Sequence, residues 1–355
     1  MSVLEEYLSG LIENSPLWKS DAIVISACSG GADSMALTSV LSKIADVQNV
    51  DVHVVHIHHH LRGAEADRDA ELVEEFCLDK ELPFTKVDVD VPALVQSTGM
   101  SIEEAARTLR YEALETCRKQ LNASAIFLGQ HRDDQAETVI MNLLRGAGTR
   151  GMRGMQAVNG YLARPFLAVA KEELKCYCQE ENIYYAEDST NQDTDFTRNW
   201  VRKEVIPLLE QKNPLIKKQL AQAATLAGWD EEYMQKEAHK YLQAYGTQMG
   251  EFYDVEAGEV FLNLPPAIQT RVLRIMLGVA GAKEVSFEHI KDLIKLIAKG
   301  EDNKAMDVPG KVRAIYSNCR LIVGKNKRSR TEEREAKNKQ KEYQRNACKS
   351  GENIN

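Results

Sequence analysis

The sequence predicts an α/β fold: an open parallel sheet with helices on both faces, followed by a smaller α+β domain. Three observations point there. Four short runs rich in apolar and β-branched residues, at 22–27 (AIVISA), 50–57 (VDVHVVHI), 84–89 and 125–129 (AIFLG), read as strands of a buried parallel sheet. Amphipathic stretches at 33–46, 65–82 and 101–121 alternate with them, and such a strand–helix–strand series implies parallel pairing. A chain of 355 residues also exceeds one ordinary core, so a second domain is expected.

Each element has its own local warrant. The first strand ends in Ser29-Gly30-Gly31-Ala32-Asp33-Ser34, and a helix starts near Asp33. Ser101 and Glu104 form a capping-box start for the third helix. The run from Pro207 to Pro214 marks a boundary, so the sheet domain is expected over 1–212. Residues 213–248 read as a helical linker, since 215–245 has the pattern of one long polar-faced helix. The small domain, 249–325, shows helices near 266–280 and 286–298, then strands at 304–308, 312–316 and 320–323. From 326 to 355 a basic disordered tail is expected: 325–355 holds ten basic and five acidic residues and almost nothing apolar.

Composition excludes several classes. Hydrophobic residues at 43% and charged residues at 28% are ordinary for a soluble chain. No apolar run reaches the 18 or so residues of a membrane span, and the acidic start MSVLEEYLSG lacks the features of a secretory leader. The seven cysteines are odd in number, scattered and without a CxxC pair, which fits a cytoplasmic location. The net charge of −8 divides unevenly: 21 Lys+Arg minus 34 Asp+Glu gives −13 for 1–212, and 24 minus 19 gives +5 for 213–355. That asymmetry suits a catalytic domain joined to one that holds a polyanion.

The sharpest chemical signal is the loop from Ser29 to Ser34. Its two glycines let the backbone turn tightly and present N–H groups to an anion. The helix start adds unpaired donors and the positive end of a dipole. Ser29 and Ser34 add hydroxyl donors, and Asp33 stands where Mg2+ on phosphates would sit. No Gly-Lys-Ser/Thr follows and the GxGxxG spacing is missing, so neither a Walker A loop nor a dinucleotide fingerprint is present. The loop resembles the SGGxDS pyrophosphate loop of the N-type ATP pyrophosphatases, which cleave ATP to AMP and pyrophosphate.

Four further segments are similar to the tRNA(Ile)-lysidine synthases within that superfamily. His56-Ile-His58-His59-His60-Leu61-Arg62 looks like their HxxHxLR element, with His59 at the usual histidine and His60 where they usually have glycine. Strand alternation puts His56, His58 and His60 on one face, which also permits a metal-site reading. Glu104-Ala-Ala-Arg107-Thr-Leu-Arg110-Tyr111 matches the E-x-A-R-x-x-R-Y helix, and its two arginines share a face able to clamp phosphate. Gly129-Gln130-His131-Arg-Asp133-Asp134-Gln-Ala-Glu137-Thr138 resembles GHHxDDQAET, with Gln130 replacing the first histidine and unable to carry a proton. Finally Arg145-Gly-Ala-Gly148, Gly151–Met155, Arg164-Pro-Phe166, Glu187–Asp193 and Arg198-Asn-Trp-Val-Arg202 follow the remaining family string.

The resemblance implies a fold, a reaction and a ligand set. ATP and Mg2+ would be cofactors, and free lysine and the isoleucine tRNA with a CAU anticodon would be substrates. Oxygen on ring carbon 2 of the wobble cytidine would attack the α-phosphate, and the lysine ε-amine would then displace AMP. Ser29, Gly30, Gly31, Ala32, Asp33, Ser34, His59, Arg107 and His131 would hold ATP, with Asp33 on Mg2+. Asp33, Arg107, Asp134, Glu137 and Arg202 would carry catalysis. Asp134, Glu137, Asn191, Arg198, Arg145, Arg150 and Arg153 would meet the other substrates, the last three from a mobile loop over the site. A free lysine amine has a pKa near 10.4, so roughly one in two thousand is neutral at pH 7; Asp134 or Glu137 is the candidate base. The rival cytidine thiolases need paired cysteines, usually CxxC, which this chain lacks. A non-catalytic, ATP-sensing RNA-binding protein is the alternative of a different class.

Overall fold

The computed structural model describes residues 2–325 apart from 13, 14, 16, 20, 62 and 187–196. In chain order the first part holds α1 (Val3–Ile12), β1 (Ile23–Ala27), α2 (Ala32–Gln48), β2 (Asp51–His58), α3 (Ala64–Asp79), β3 (Phe84–Asp88), α4 (Val91–Thr98), α5 (Ile102–Gln120) and β4 (Ala125–Leu128). There follow α6 (Arg132–Leu144), α7 (Thr149–Met152), the two-residue strands β5 (Val158–Asn159) and β6 (Leu162–Ala163), and α8 (Lys171–Glu180). Next come α9 (Thr197–Trp200), a π-helical turn (Val201–Val205), α10 (Ile206–Glu210) and the 30-residue α11 (Ile216–Tyr245). The chain divides into two compact units at Trp229/Asp230, within α11.

The first unit is a sheet of order β3-β2-β1-β4-β6-β5, parallel except for the β5–β6 pair. Its central strands are buried on both faces because successive side chains point to opposite sides. Val24, Val52, Val54, Ala125 and Phe127 face one core with Leu8 of α1, Met35 and Leu41 of α2, Val73 of α3 and Leu174 of α8. Ile25, Val55, Ile126 and Leu128 face the other, packed by Leu114 and Cys117 of α5. Helices thus cover both faces, as the alternating pattern predicts. The order reverses between β1 and β4, so a crevice opens at their carboxyl ends, where open α/β sheets bind ligands.

The second unit adds β7 (Gly246–Met249), β8 (Phe252–Glu256), α12 (Glu259–Leu262), α13 (Pro266–Val279), α14 (Phe287–Lys299), β9 (Lys304–Val308), β10 (Val312–Ser317) and β11 (Arg320–Lys325). Its antiparallel sheet has the order β7-β8-β11-β10-β9. Leu273, Met276 and Leu277 of α13 and Leu293 of α14 pack on Val255, Ala314, Leu321 and Val323 of the sheet. The β7–β8 hairpin is not among the sequence-predicted strands. β7 is almost wholly exposed and offers no apolar alternation, and Gly250 closes the turn at φ +61°. Among the described residues no helix is long and apolar enough to cross a membrane.

Candidate active site

The loop after β1 is shaped by close approach. Gly30 sits at φ +91°, where a side chain would be strained and would also crowd the Asp69 carbonyl at 3.3 Å. A Cβ on Gly129, at the end of β4, would stand 3.0 Å from the Asp33 carbonyl oxygen, so a side chain there would press the β4 exit and the loop backbone apart by a few tenths of an ångström. Ser34 Oγ accepts from the Ser29 N–H at 3.1 Å and donates to the Gly31 carbonyl at 3.0 Å. No side chain caps α2 at its N-cap, Gly31, so the first N–H groups of a 17-residue helix keep their donor capacity for an anion. Ala186 N–H donates to the Gly30 carbonyl at 2.9 Å, tying a later segment to the loop.

A cavity of about 500 Å³ opens over these strand ends. Ser29, Gly31, Asp33 and Ser34 line it from the loop, His59 from the end of β2, Arg107 and Arg110 from α5, Asp134 from α6 and Arg198 from α9. These are eight of the sequence-predicted site residues together with Arg110. Gly30, Ala32, His131, Glu137 and Arg202 stand behind the lining. Arg145, Arg150 and Arg153 do not line the cavity, and Asn191, like Arg62 and the tail 326–355, lies outside the described residues. The stretch expected as a mobile loop is tied down over its second half. Residues 149–152 form a helical turn, Gln135 bonds the Arg153 and Met155 carbonyls and the Met155 N–H, and Asn142 bonds the Gly151 carbonyl.

Asp33 and His131 meet across the crevice. His131 caps α6, its Nδ1 accepting from the Asp133 N–H at 3.2 Å, which leaves Nε2 to face Asp33 Oδ2 at 3.3 Å and Asp134 Oδ2 at 3.4 Å. Burial disfavours the imidazolium, but the Asp33 hydrogen bond and the carboxylates of Asp134 and Asp33 outweigh it and hold the His131 pKa up. Asp33 Oδ1 is buried without a hydrogen-bond partner, as befits a carboxylate oxygen suited to a cation.

The two carboxylates of α6 part company. Glu137 is 1% exposed and spent on arginine: Arg198 Nε donates to its Oε2 at 2.7 Å, Arg202 Nε to Oε1 at 2.6 Å and Arg202 Nη2 to Oε2 at 3.1 Å. Asp134 accepts from Arg198 Nη2 at 2.9 Å and from the His131 N–H at 3.1 Å, yet still lines the cavity. Burial pushes the Asp134 pKa up, but His131, Arg198 and that N–H outweigh it and hold it below the usual carboxylate value. Val201 and Ile206 pack on Ala136 and Ile140 beside this cluster, seating the arginine-bearing segment on α6.

Three further side chains complete the frame. Arg110 Nε is buried without a hydrogen-bond partner, and its guanidinium and that of Arg107 lie 5.5 and 5.1 Å from the Tyr111 ring. Sequence spacing put both arginines on one face but could not show that Arg110 is the more enclosed. Gln130, the departure from the family pattern, accepts through Oε1 from Arg164 Nε at 3.0 Å. Its amide therefore orients a buried arginine that also bonds the Gln156 carbonyl and Tyr111 Oη. Lys217 pairs with Asp133 at 2.7 Å, a link across 84 positions that no local motif announces.

Residues 2–209 match the family described as a PP-loop domain, and 259–320 match a TilS substrate binding domain. A tRNA(Ile)-lysidine synthase of Caldanaerobacter subterraneus subsp. tengcongensis is 31% identical over 92% of this chain and 70% of its own. One from Geobacillus kaustophilus is 32% identical over 88% and 68%. A third, from Parabacteroides distasonis, is 41% identical over 60% of this chain and 48% of its own. Among solved structures, a U34-tRNA thiolase from Methanococcus maripaludis superposes with a TM-score of 0.52 at 15% identity, over 63% of this chain and 77% of that one; this likeness bears on the fold alone.

Proposed function

The chain belongs to the tRNA(Ile)-lysidine synthase family, and on that premise we propose that it couples free lysine to the wobble cytidine of the isoleucine tRNA with a CAU anticodon. The bond joins the lysine ε-nitrogen to ring carbon 2 of the base, by way of an adenylated cytidine, with release of AMP and pyrophosphate. The observation that carries this reading is the cavity onto which an uncapped helix start, the arginines Arg107, Arg110 and Arg198 and the carboxylates Asp33 and Asp134 converge. A pyrophosphate leaving group, an α-phosphate and an amine need those three kinds of partner.

In this reading the N–H groups of the Ser29–Ser34 loop and the guanidiniums of Arg107 and Arg110 take up charge as pyrophosphate departs. The unpartnered Asp33 oxygen fits a divalent cation, and Mg2+ bound there would supply positive charge against the phosphates. His131 holds Asp33 in place from behind. Cytidine O2 attacks the α-phosphorus and its bond to phosphate forms as the bond to pyrophosphate breaks. Asp134, the carboxylate facing the cavity, is the better candidate to hold the lysine ammonium and receive its proton. Glu137 serves instead to position Arg198 and Arg202. Amine attack on carbon 2 then breaks the carbon–oxygen bond, and AMP leaves with that oxygen.

The second unit, with its substrate-binding-domain match, fits the role of gripping tRNA, and the reaction belongs in the cytoplasm. The test is incorporation of radiolabelled lysine into CAU-anticodon tRNA in the presence of ATP and Mg2+. Transfer that requires all components supports the reading. ATP that binds but is never consumed would favour a non-catalytic RNA-binding sensor.

A further inference from the structure

We propose that His58, His60 and Asp88 form a Zn2+ site at the outer rim of the nucleotide crevice, distinct from the Asp33 cation position. The three residues come together through strand register: His58 at the end of β2 pairs with Asp88 at the end of β3, and His60 lies two residues beyond His58. Each can bring one ligand atom within 4.8 Å of the others. His60 Nε2 lies 2.8 Å and His58 Nδ1 3.8 Å from the same oxygen, Asp88 Oδ1, and the two imidazole centroids are 4.1 Å apart. Two imidazoles and one carboxylate are the donor set of three-ligand zinc sites, which keep a fourth position for water.

Three observations raise this above a surface ion pair. First, His60 adopts φ +53°, a left-handed conformation that strains a non-glycine residue. A glycine would sit there without strain, and the conformation aims a histidine ring at Asp88. Second, His58 is 1% exposed and its Nε2 makes no well-aligned hydrogen bond, yet Asp67 Oδ1 stands only 3.1 Å away. A ligating histidine normally turns its other nitrogen to a carboxylate in this way, which fixes the tautomer and frees the opposite lone pair. That lone pair, on Nδ1, now takes only a long contact of 3.3 Å from the His60 N–H. Third, a cavity of about 400 Å³ opens directly on His60 and Asp88, leaving access for an ion and its water. His56, on the same strand face, stands outside this group: its ring lies 6.2 Å from that of His58, and its Nδ1 is bonded to the Cys28 carbonyl at 3.0 Å. Zinc here would join the ends of β2 and β3 and brace the segment that carries His59 to the nucleotide cavity.

The test uses the untagged full-length protein, stripped with a chelator. Zn2+ affinity is measured by competition with a chromophoric chelator, alongside thermal midpoints with and without Zn2+. One equivalent should bind, and His60→Gly and Asp88→Asn should each weaken binding about tenfold or more. In chelator His60→Gly should melt no lower than the parent, because glycine accepts the backbone angle; only the Zn2+-induced rise in midpoint should vanish. Asp33→Asn should leave Zn2+ affinity unchanged. Equal Zn2+ affinity in parent, His60→Gly and Asp88→Asn would overturn the proposal. So would loss of binding in Asp33→Asn alone, which would put the ion on the phosphate-side carboxylates.

Discussion

Glu137→Gln separates positioning from direct chemistry. The substitution keeps shape and volume but removes the charge that holds Arg198 and Arg202, through contacts of 2.7, 2.6 and 3.1 Å. Arg198 keeps Asp134 at 2.9 Å, whereas Arg202 reaches Asp134 only at 3.6 Å. Breaking a buried ion cluster by removing one partner typically costs about 3–5 kcal/mol. The guanidiniums are 25% and 33% exposed and retain some water, so the low end, about 3 kcal/mol, is the appropriate value. For a unit of this size each kcal/mol lowers the midpoint by about 2–4 °C, giving a drop of roughly 6–12 °C. Calorimetry and lysine transfer, run on the same preparation, should fall together. A midpoint within about 1 °C of the parent, with transfer abolished, would refute positioning and make Glu137 a group that touches substrate.

Other outcomes follow from the same geometry. Asp33→Ala should abolish lysine transfer while shifting the midpoint by no more than a degree or two, since its side chain is 26% exposed and outside the apolar core; near-normal transfer would remove it from the site. Asp134 has a depressed pKa, so its stabilising contribution is present above the ordinary value near 3.9 and is lost as pH falls through the folded value. Melting of the parent should therefore steepen in acid below about pH 4, and Asp134→Asn should blunt that limb; identical acid profiles would contradict the pairing. Arg145→Ala and Arg150→Ala, at exposed positions, should each reduce the salt slope of tRNA binding by about one while leaving ATP binding intact. An unchanged slope would show that neither meets phosphate.

Much of the first unit could be read from the sequence because its strands are buried on both faces, and that burial demands runs such as AIVISA and AIFLG. The short β5 and β6 and the exposed β7 carry no such demand and leave no pattern. Within the site, local motifs announced the loop at Ser29–Ser34, the arginine pair on α5 and the carboxylates of α6. What they could not give were partners set by tertiary approach: Gln130 with Arg164, Lys217 with Asp133, and the two arginines that occupy Glu137. The histidine face of β2 was likewise visible by alternation. Its division was not, because His56 turns to the Cys28 carbonyl while Asp88 arrives from the neighbouring strand.

The central claim is that cytidine O2 attacks the α-phosphate of ATP before lysine displaces it. An isotope label follows that oxygen directly. CAU-anticodon tRNA carrying 18O at carbon 2 of the wobble cytidine should yield 18O-labelled AMP, one for each lysine incorporated, with unlabelled pyrophosphate and no ADP. Lysine incorporation with unlabelled AMP, or with ADP as the nucleotide product, would contradict it.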